Sequence, residues 1–223
     1  MKTSLLILFT LAFGAVQSQT VRIDFGYSHL YSPQLDRVVQ TYNFSRPNLT
    51  EKQPFIQHGI ISSATVYFKR NENLKSGFSG KHAYFSSSAS NPNAVIKLRY
   101  HMFDLGYALN YSKPSSKLYG ELGIFATFGS LTKRINGERF ISDDLPVHSF
   151  QFGGLINLNL GYLLTVHERM KIAPFIGANF APYFSKGQSE SVINQTSTLV
   201  DEAYTTFFRF EFGCSIYYDH VKK

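Results

Sequence analysis

A two-faced segment at residues 150–164, FQFGGLINLNLGYLL, places the strongest constraint on the fold. Successive side chains of a β-strand point to opposite faces. As a strand, this segment collects large apolar side chains on one face and Gln151, Asn157 and Asn159 on the other. The apolar face must therefore meet either a protein core, as in a soluble sandwich, or lipid, as in a membrane barrel.

The same alternation recurs along most of the chain after residue 20, whereas helical periodicity is nearly absent. We predict eight strands, at about residues 21–31, 60–70, 77–88, 95–112, 117–131, 148–165, 170–185 and 205–219. Within the fourth segment the apolar positions change from even to odd numbers at Met102 and Phe103. A one-residue slip of this kind predicts a β-bulge.

The connections between these segments alternate in length, except that the third, SASNPN, is short where a long one is expected. The links NENLKS, KPSS and VHER are short, whereas residues 32–55, 132–147 and 186–202 form long polar connections. Short turns at one end and long loops at the other are typical of a transmembrane barrel with periplasmic termini. Several segments also exceed the 5–6 residues usual in globular strands and reach the roughly 9–11 that a tilted membrane strand needs. We therefore predict an all-β fold, an eight-stranded antiparallel up-and-down transmembrane β-barrel.

In such a barrel the polar faces of the strands point inward. An eight-stranded barrel is just wide enough for side chains to fill it, so charges of both signs can pair there and form a plug. The residues predicted to form this structural interior network are Arg22, Asp24, Lys97, Arg99, Asp104, Glu121, Arg209 and Glu211. His101 is expected to join them. The alternative is that these residues form the solvated face of a soluble sandwich.

The N-terminus and the composition indicate the compartment. Residues 1–18 have a basic start, an apolar run and small residues at the end, which predicts a cleaved signal peptide and a barrel domain at residues 19–223. A single cysteine, Cys214, excludes an internal disulfide framework. The formal charge of +7 is scattered along the chain, so we expect outer-membrane lipid as a partner and no nucleic acid.

Three stretches give the chain a family likeness: AVQSQT at the end of the signal, GYLLTVHERMKIAPFIGANFAPYFSKG at residues 161–187, and the closing FFRFEFGCSIYYDH. With them the chain resembles the small outer-membrane barrel proteins of Bacteroidota, the PorT-like or outer membrane protein beta-barrel domain group. The resemblance implies an eight-stranded barrel in the outer membrane. It implies no single activity, although some members are tied to secretion or adhesion.

Motifs for catalysis are weak. His148 and Ser149 are adjacent, as are His29 and Ser28, so on a strand each pair points to opposite faces and cannot form a dyad. No metal-binding or phosphate-loop pattern occurs, and we predict no catalytic, cofactor or metal residues.

We therefore interpret the protein as a non-enzymatic barrel with an envelope structural role or a loop-mediated interaction role. In the second case the exposed loop at residues 32–55 would contact a protein partner. The alternatives are a barrel enzyme acting on outer-membrane lipid, a narrow pore, and a soluble lipocalin-like ligand carrier.

Overall fold

The computed structural model describes residues 19–44, 46–47, 49–92, 94–136, 147–184 and 206–220. The predicted signal peptide lies outside these residues. The elements are β1 (Gln19–Tyr31), α1 (Pro33–Phe44), β2 (His58–Lys69), β3 (Leu74–Asn91), β4 (Ala94–Ser112), β5 (Leu118–Asn136), β6 (Val147–Tyr162), β7 (Leu164–His167), β8 (Met170–Pro182) and β9 (Thr206–His220).

The strands close into one antiparallel barrel. Each strand from β1 to β5 pairs with the next. Both β6 and β7 pair with β8, β8 pairs with β9, and β9 pairs with β1. β6 and β7 are two parts of a single strand that is interrupted at Leu163, so the barrel has eight strands. This confirms the predicted fold class. We call the end with the termini and short turns the turn end, and the opposite end the loop end.

The outer surface carries a wide band of exposed apolar side chains. Phe210 in β9 is 56% exposed, and Leu158 in β6 is 51% exposed. Other large members of this belt are Ile23, Phe25, Ile60, Phe78, Phe103, Leu105, Leu109, Leu118, Leu122, Ile124, Phe152, Ile156, Leu160, Ile176, Phe180, Phe208, Phe212 and Ile216. An apolar patch of this extent is unsuited to water, whereas the outer band of a membrane barrel requires it. The belt therefore faces lipid.

The barrel interior has two layers. The turn half is polar and charged, while the loop half is an apolar core. The inward-facing residues of this core include Leu30, Ile96, Leu98, Tyr100, Met102, Leu131, Leu155 and Phe207. On β3, β4 and β5 the outer face changes in the opposite sense, from apolar at the belt to polar near the loop end. In this sector the loop half of the barrel has an apolar interior and a polar exterior, as a water-soluble barrel has.

This change of layer accounts for the pattern in β4 that predicted a bulge, and the bulge prediction is wrong. The register of β4 with β3 and with β5 is constant through Met102 and Phe103. Even-numbered side chains between Ile96 and Asn110 face inward, from Leu98 and Met102 in the apolar layer to Asp104 in the polar layer. The apolar residues change faces because the surroundings change, while the strand itself continues without interruption.

Part of the predicted 32–55 loop is helical. Ser32 caps α1, since its Oγ accepts a hydrogen bond from the Leu35 N–H at 3.4 Å, and Pro33 occupies the first helical position. Leu35, Val39 and Tyr42 form one buried stripe that belongs to the apolar core. The helix therefore caps the loop end as a roof. Among the described residues, no helix has the length and apolar character needed to cross a bilayer.

Candidate functional site

The structure brings six of the eight predicted network residues together inside the barrel. Arg22, Asp24, Asp104, Glu121, Arg209 and Glu211 are each at most 3% exposed. They lie on β1, β4, β5 and β9, at positions where the strand alternation directs side chains inward. The network occupies the turn half of the interior, below the apolar core.

Arg22 is the centre of the first half of this network. Its Nη1 lies 2.5 Å from Oε2 of Glu121, its Nη2 donates to Oε1 of Glu121 at 2.9 Å, and its Nε lies 3.0 Å from Asp24. The guanidinium also lies 5.3 Å from the ring centroid of Tyr67 and 5.8 Å from that of Tyr217. A bidentate carboxylate and two aromatic faces compensate the loss of hydration of the buried charge.

Arg209 is the centre of the second half. Its Nη2 lies 2.6 Å from Oδ2 of Asp104, and its Nε lies 3.4 Å from Glu211. Lys81 reaches the same Glu211 carboxylate at 3.4 Å, and the Thr127 hydroxyl donates to Asp104 at 2.5 Å. Three cations and four carboxylates are thus paired in a space that water would otherwise occupy.

A chain of asparagine amides extends from the Glu121 carboxylate of β5 across β6 to the neighbouring strand β8. Asn159 donates to Glu121 at 3.0 Å and exchanges hydrogen bonds with Asn157, which donates to Asn179 at 2.8 Å. The inward-pointing asparagines of the 150–164 segment therefore have a structural role. They satisfy buried polar groups that would be costly if left unpaired.

The other two predicted network residues, Lys97 and Arg99, are placed on the outside of the wall, and so is His101. Their assignment to the interior is corrected. The prediction treated polar residues as inward throughout β4, but this part of the strand lies in the loop half, where the interior is apolar. The inward neighbours Ile96, Leu98 and Tyr100 occupy the core instead.

Sequence reasoning did not single out Lys81 or Tyr217. Lys81 lies on the same face of β3 as the apolar residues Ala83 and Phe85, so the alternation of polar and apolar residues does not identify it as an inward-facing polar residue. In the structure it stands opposite Asp104 in the β3–β4 register. Tyr217 shares the inward face of β9 with Arg209 and Glu211, is 4% exposed and lines the interior. Tyr218, by contrast, is outward and 46% exposed.

The roof over the apolar core is tied to the barrel by polar contacts. The Tyr42 ring of α1 lies 4.3 Å from the Arg46 guanidinium and 4.6 Å from the Lys133 ammonium of β5. Burial raises the pKa of the Tyr42 phenol, which stays neutral at physiological pH. Gln53 donates to the Ser87 hydroxyl of β3 at 2.8 Å. The roof is thus an ordered part of the barrel end.

The outward histidines make contacts among rings. His58 is hydrogen-bonded to the Tyr27 hydroxyl, and Nε2 of His82 lies 3.2 Å from Nδ1 of His101. In the part of the chain that the structure covers, no three His, Cys, Asp or Glu side chains converge closely enough to hold a metal ion.

No protein-family model matches the chain, and no curated protein sequence matches it significantly. Among solved structures, the fold is similar to Neisserial surface protein A, with a TM-score of 0.50, 10% identity, and coverage of 91% of this chain and 99% of that one. Ail, the attachment invasion locus protein of Yersinia pestis, in complex with the heparin analogue sucrose octasulfate, has a TM-score of 0.48 and 8% identity, covering 91% and 100%. The outer membrane protease OmpT from Escherichia coli has a TM-score of 0.45 and 9% identity, covering 91% and 97%.

At 10% identity, the likeness to the Neisserial protein concerns the fold alone. Together with the closed hydrogen-bond ladder and the apolar belt, it defines the class of protein. The chain is a small eight-stranded transmembrane β-barrel with a side-chain-filled interior.

Proposed function

We propose that the protein resides in the bacterial outer membrane and acts without catalysis, through an envelope structural role or through contacts made by its loop end. Its relatives would then be the small Bacteroidota barrels of the PorT-like group, some of which are tied to secretion or adhesion. The support is physical. A closed ladder leaves no strand edge in hydrocarbon, and the belt supplies the surface that lipid requires.

The observation that carries this proposal is the blocked interior. The Arg22 and Arg209 groups fill the turn half, and the apolar core with its α1 roof fills the loop half. This arrangement disfavours a pore. It also disfavours a lipocalin-like carrier, which would need an apolar face turned inward along the barrel and a charged face turned outward.

The lipid-enzyme alternative would need a histidine, a hydroxyl nucleophile and an acid that converge at one rim. The hydrogen bonds shown for histidine side chains join His58 to Tyr27, His82 to His101, and His167 to the Arg169 N–H. These contacts give that alternative no support.

The loop end remains as the surface available to a partner. The face of α1 opposite its buried stripe presents Arg37, Gln40 and Thr41, and Phe44 at the end of the helix is 90% exposed. Because Leu35, Val39 and Tyr42 anchor the helix, this face is held in a fixed orientation. A rigid element on a barrel end can bind with little ordering cost.

Site-specific photocrosslinking tests this assignment. A photoreactive residue placed at Gln40 in intact cells of the native host is expected to give a discrete protein adduct. The same residue at Leu158 in the belt, or at Glu72 in a short turn, should give none. If Gln40 yields no adduct, or if all three positions yield the same one, an interaction through α1 is contradicted.

A further inference from the structure

A group of basic side chains lies on the outer wall just beyond the belt, toward the loop end. Lys97 and Arg99 project outward from β4, and Arg134 projects outward from β5. Lys97 and Arg134 stand directly opposite each other in the β4–β5 register, and Arg99 stands opposite Thr132. We call Lys97, Arg99 and Arg134 the basic wall.

Two like charges directly opposite each other on neighbouring strands are destabilising without a counter-charge. The outward positions of β3, β4 and β5 that the structure describes contain no Asp or Glu, and the neighbouring outward residues of β3 are Ser86, Ser88 and Ser90. Glu51 reaches this edge, where its carboxylate accepts a hydrogen bond from the Ser90 N–H. No ion pair involving the basic wall occurs among the described residues, so the wall is suited to an external anion.

The height of the basic wall identifies the kind of anion. The outward face of β4 is apolar from Tyr111 to Phe103, and His101 follows. Two residues on a tilted strand rise roughly 5 Å along the membrane normal, so Arg99 and Lys97 lie roughly 5 and 10 Å beyond His101. The headgroup layer on each side of the hydrocarbon is of similar thickness. Long basic side chains at this depth can extend toward lipid headgroups.

The surface directly below the wall fits the rest of a lipid. Phe103 of β4 and Phe128 of β5 are register partners on the outer face, and Leu105 continues this apolar surface toward the middle of the belt. A single molecule with an anionic head and acyl chains would contact the basic wall and this apolar surface together.

We propose that the basic wall binds the phosphate of a lipid headgroup in the leaflet at the loop end, with the acyl chains against Phe103, Leu105 and Phe128. The two guanidinium groups bind phosphate oxygens in bidentate fashion, and Lys97 adds a point charge. The serine hydroxyls of β3 are available as further donors. This inference deepens the proposed function and depends on the barrel spanning a membrane, since it names the lipid chemistry that one sector of the wall selects.

Lipid binding to the detergent-solubilised full chain, measured by native mass spectrometry, tests the proposal. The probes are phosphatidic acid, phosphatidylcholine and inorganic phosphate. Phosphatidic acid should bind at least 10-fold more tightly than phosphatidylcholine, whose choline group neutralises its phosphate. The combined variant Lys97→Gln, Arg99→Gln and Arg134→Gln should lose this preference, whereas Arg99→Lys, which keeps the charge, should retain part of it.

A matched triple variant at the turn end, Lys69→Gln, Lys113→Gln and Lys117→Gln, removes the same charge from exposed sites. It should leave the preference unchanged. If both triple variants lose the preference for phosphatidic acid equally, the preference depends only on net charge and the proposal is overturned. The proposal is also overturned if the basic-wall variant keeps the preference. Displacement of the lipid by equimolar inorganic phosphate would overturn the assignment to a lipid.

Gel mobility of unheated and boiled samples reports whether each variant still forms the barrel. A folded wild-type barrel that inserts into vesicles but shows no preference for phosphatidic acid contradicts this inference and leaves the proposed function standing. A wild-type chain that fails to insert contradicts both.

Discussion

At the scale of single residues, the most demanding feature is the burial of full charges at the level of the lipid belt. Arg22 and Arg209 are at most 1% exposed, yet every charged group in their surroundings has an opposite charge within 3.4 Å. A buried pair of this kind need not add stability by itself, but removal of one partner leaves an uncompensated charge. The network therefore acts mainly as a constraint that fixes how β1, β4, β5 and β9 face one another.

Replacement of Glu121 tests this constraint. Glu121→Gln keeps the volume of the side chain but removes the charge that Arg22 contacts through two nitrogens, so it should lower the free energy of unfolding by about 3–5 kcal/mol. Urea unfolding in lipid vesicles measures the change. Glu72→Gln, in an exposed turn, serves as the control and should change stability by about 0.5 kcal/mol or less. Similar values for the two variants would contradict a structural role for the network.

At the scale of elements, the strands were predictable from the sequence because side chains alternate between the two faces of a strand. This alternation is visible in the sequence whether the apolar face contacts lipid or a protein core. The predicted fourth segment starts within one residue of β4, and the predicted seventh segment, 170–185, starts at the first residue of β8 and ends three residues beyond its last, Pro182. The alternation of side chains along β4 could not by itself place Lys97 and Arg99 inside or outside the barrel. It does not reveal the depth at which the interior changes from polar to apolar. That depth depends on α1, whose contacts with the core are made between residues distant in sequence.

The helix itself left a signal that the strand pattern obscured. Ser32 followed by Pro33 is a start signal for a helix, and Leu35, Val39 and Tyr42 repeat at intervals of four and three. Twelve residues are too few to form a stable helix in isolation, so α1 depends on its apolar partners in the barrel. Local pattern could therefore suggest the helix, but only the assembled barrel explains its stability.

Substitution of Val39 tests whether α1 is held by this apolar face. Val39 is fully buried, so Val39→Asp places a carboxylate in the core and should detach the helix while the barrel below remains folded. Trypsin should then cleave rapidly after Arg37, and the mobility of the unheated sample should be unchanged. Gln40→Asp, on the exposed face, should leave the cleavage rate near that of the wild type. Equal cleavage rates in the two variants would contradict an anchored roof.

At the scale of the whole molecule, two opposite distributions of polarity share one continuous set of strands. Around the belt the apolar side chains face outward and the charges face inward, whereas at the loop end Lys97 and Arg99 face outward and Leu98 and Tyr100 face inward. A barrel in a single medium would have no reason to exchange its faces. The exchange therefore marks the level at which the wall leaves the hydrocarbon and enters an aqueous layer.

Arginine substitutions at two depths locate this level. At Leu158, in the middle of the belt, Leu158→Arg should cost about 2–4 kcal/mol of folding free energy in lipid vesicles because the guanidinium must enter hydrocarbon. Ser88 faces outward on β3 opposite Lys97, so Ser88→Arg should cost only about 0–1 kcal/mol. Because a position buried in a protein core would also resist arginine, lipid accessibility is measured separately at the same two sites. A fluorophore attached at residue 158 should be quenched strongly by a spin-labelled lipid, and one attached at residue 88 only weakly. Equal costs at both depths, or a quencher-inaccessible residue 158, would contradict a belt immersed in lipid.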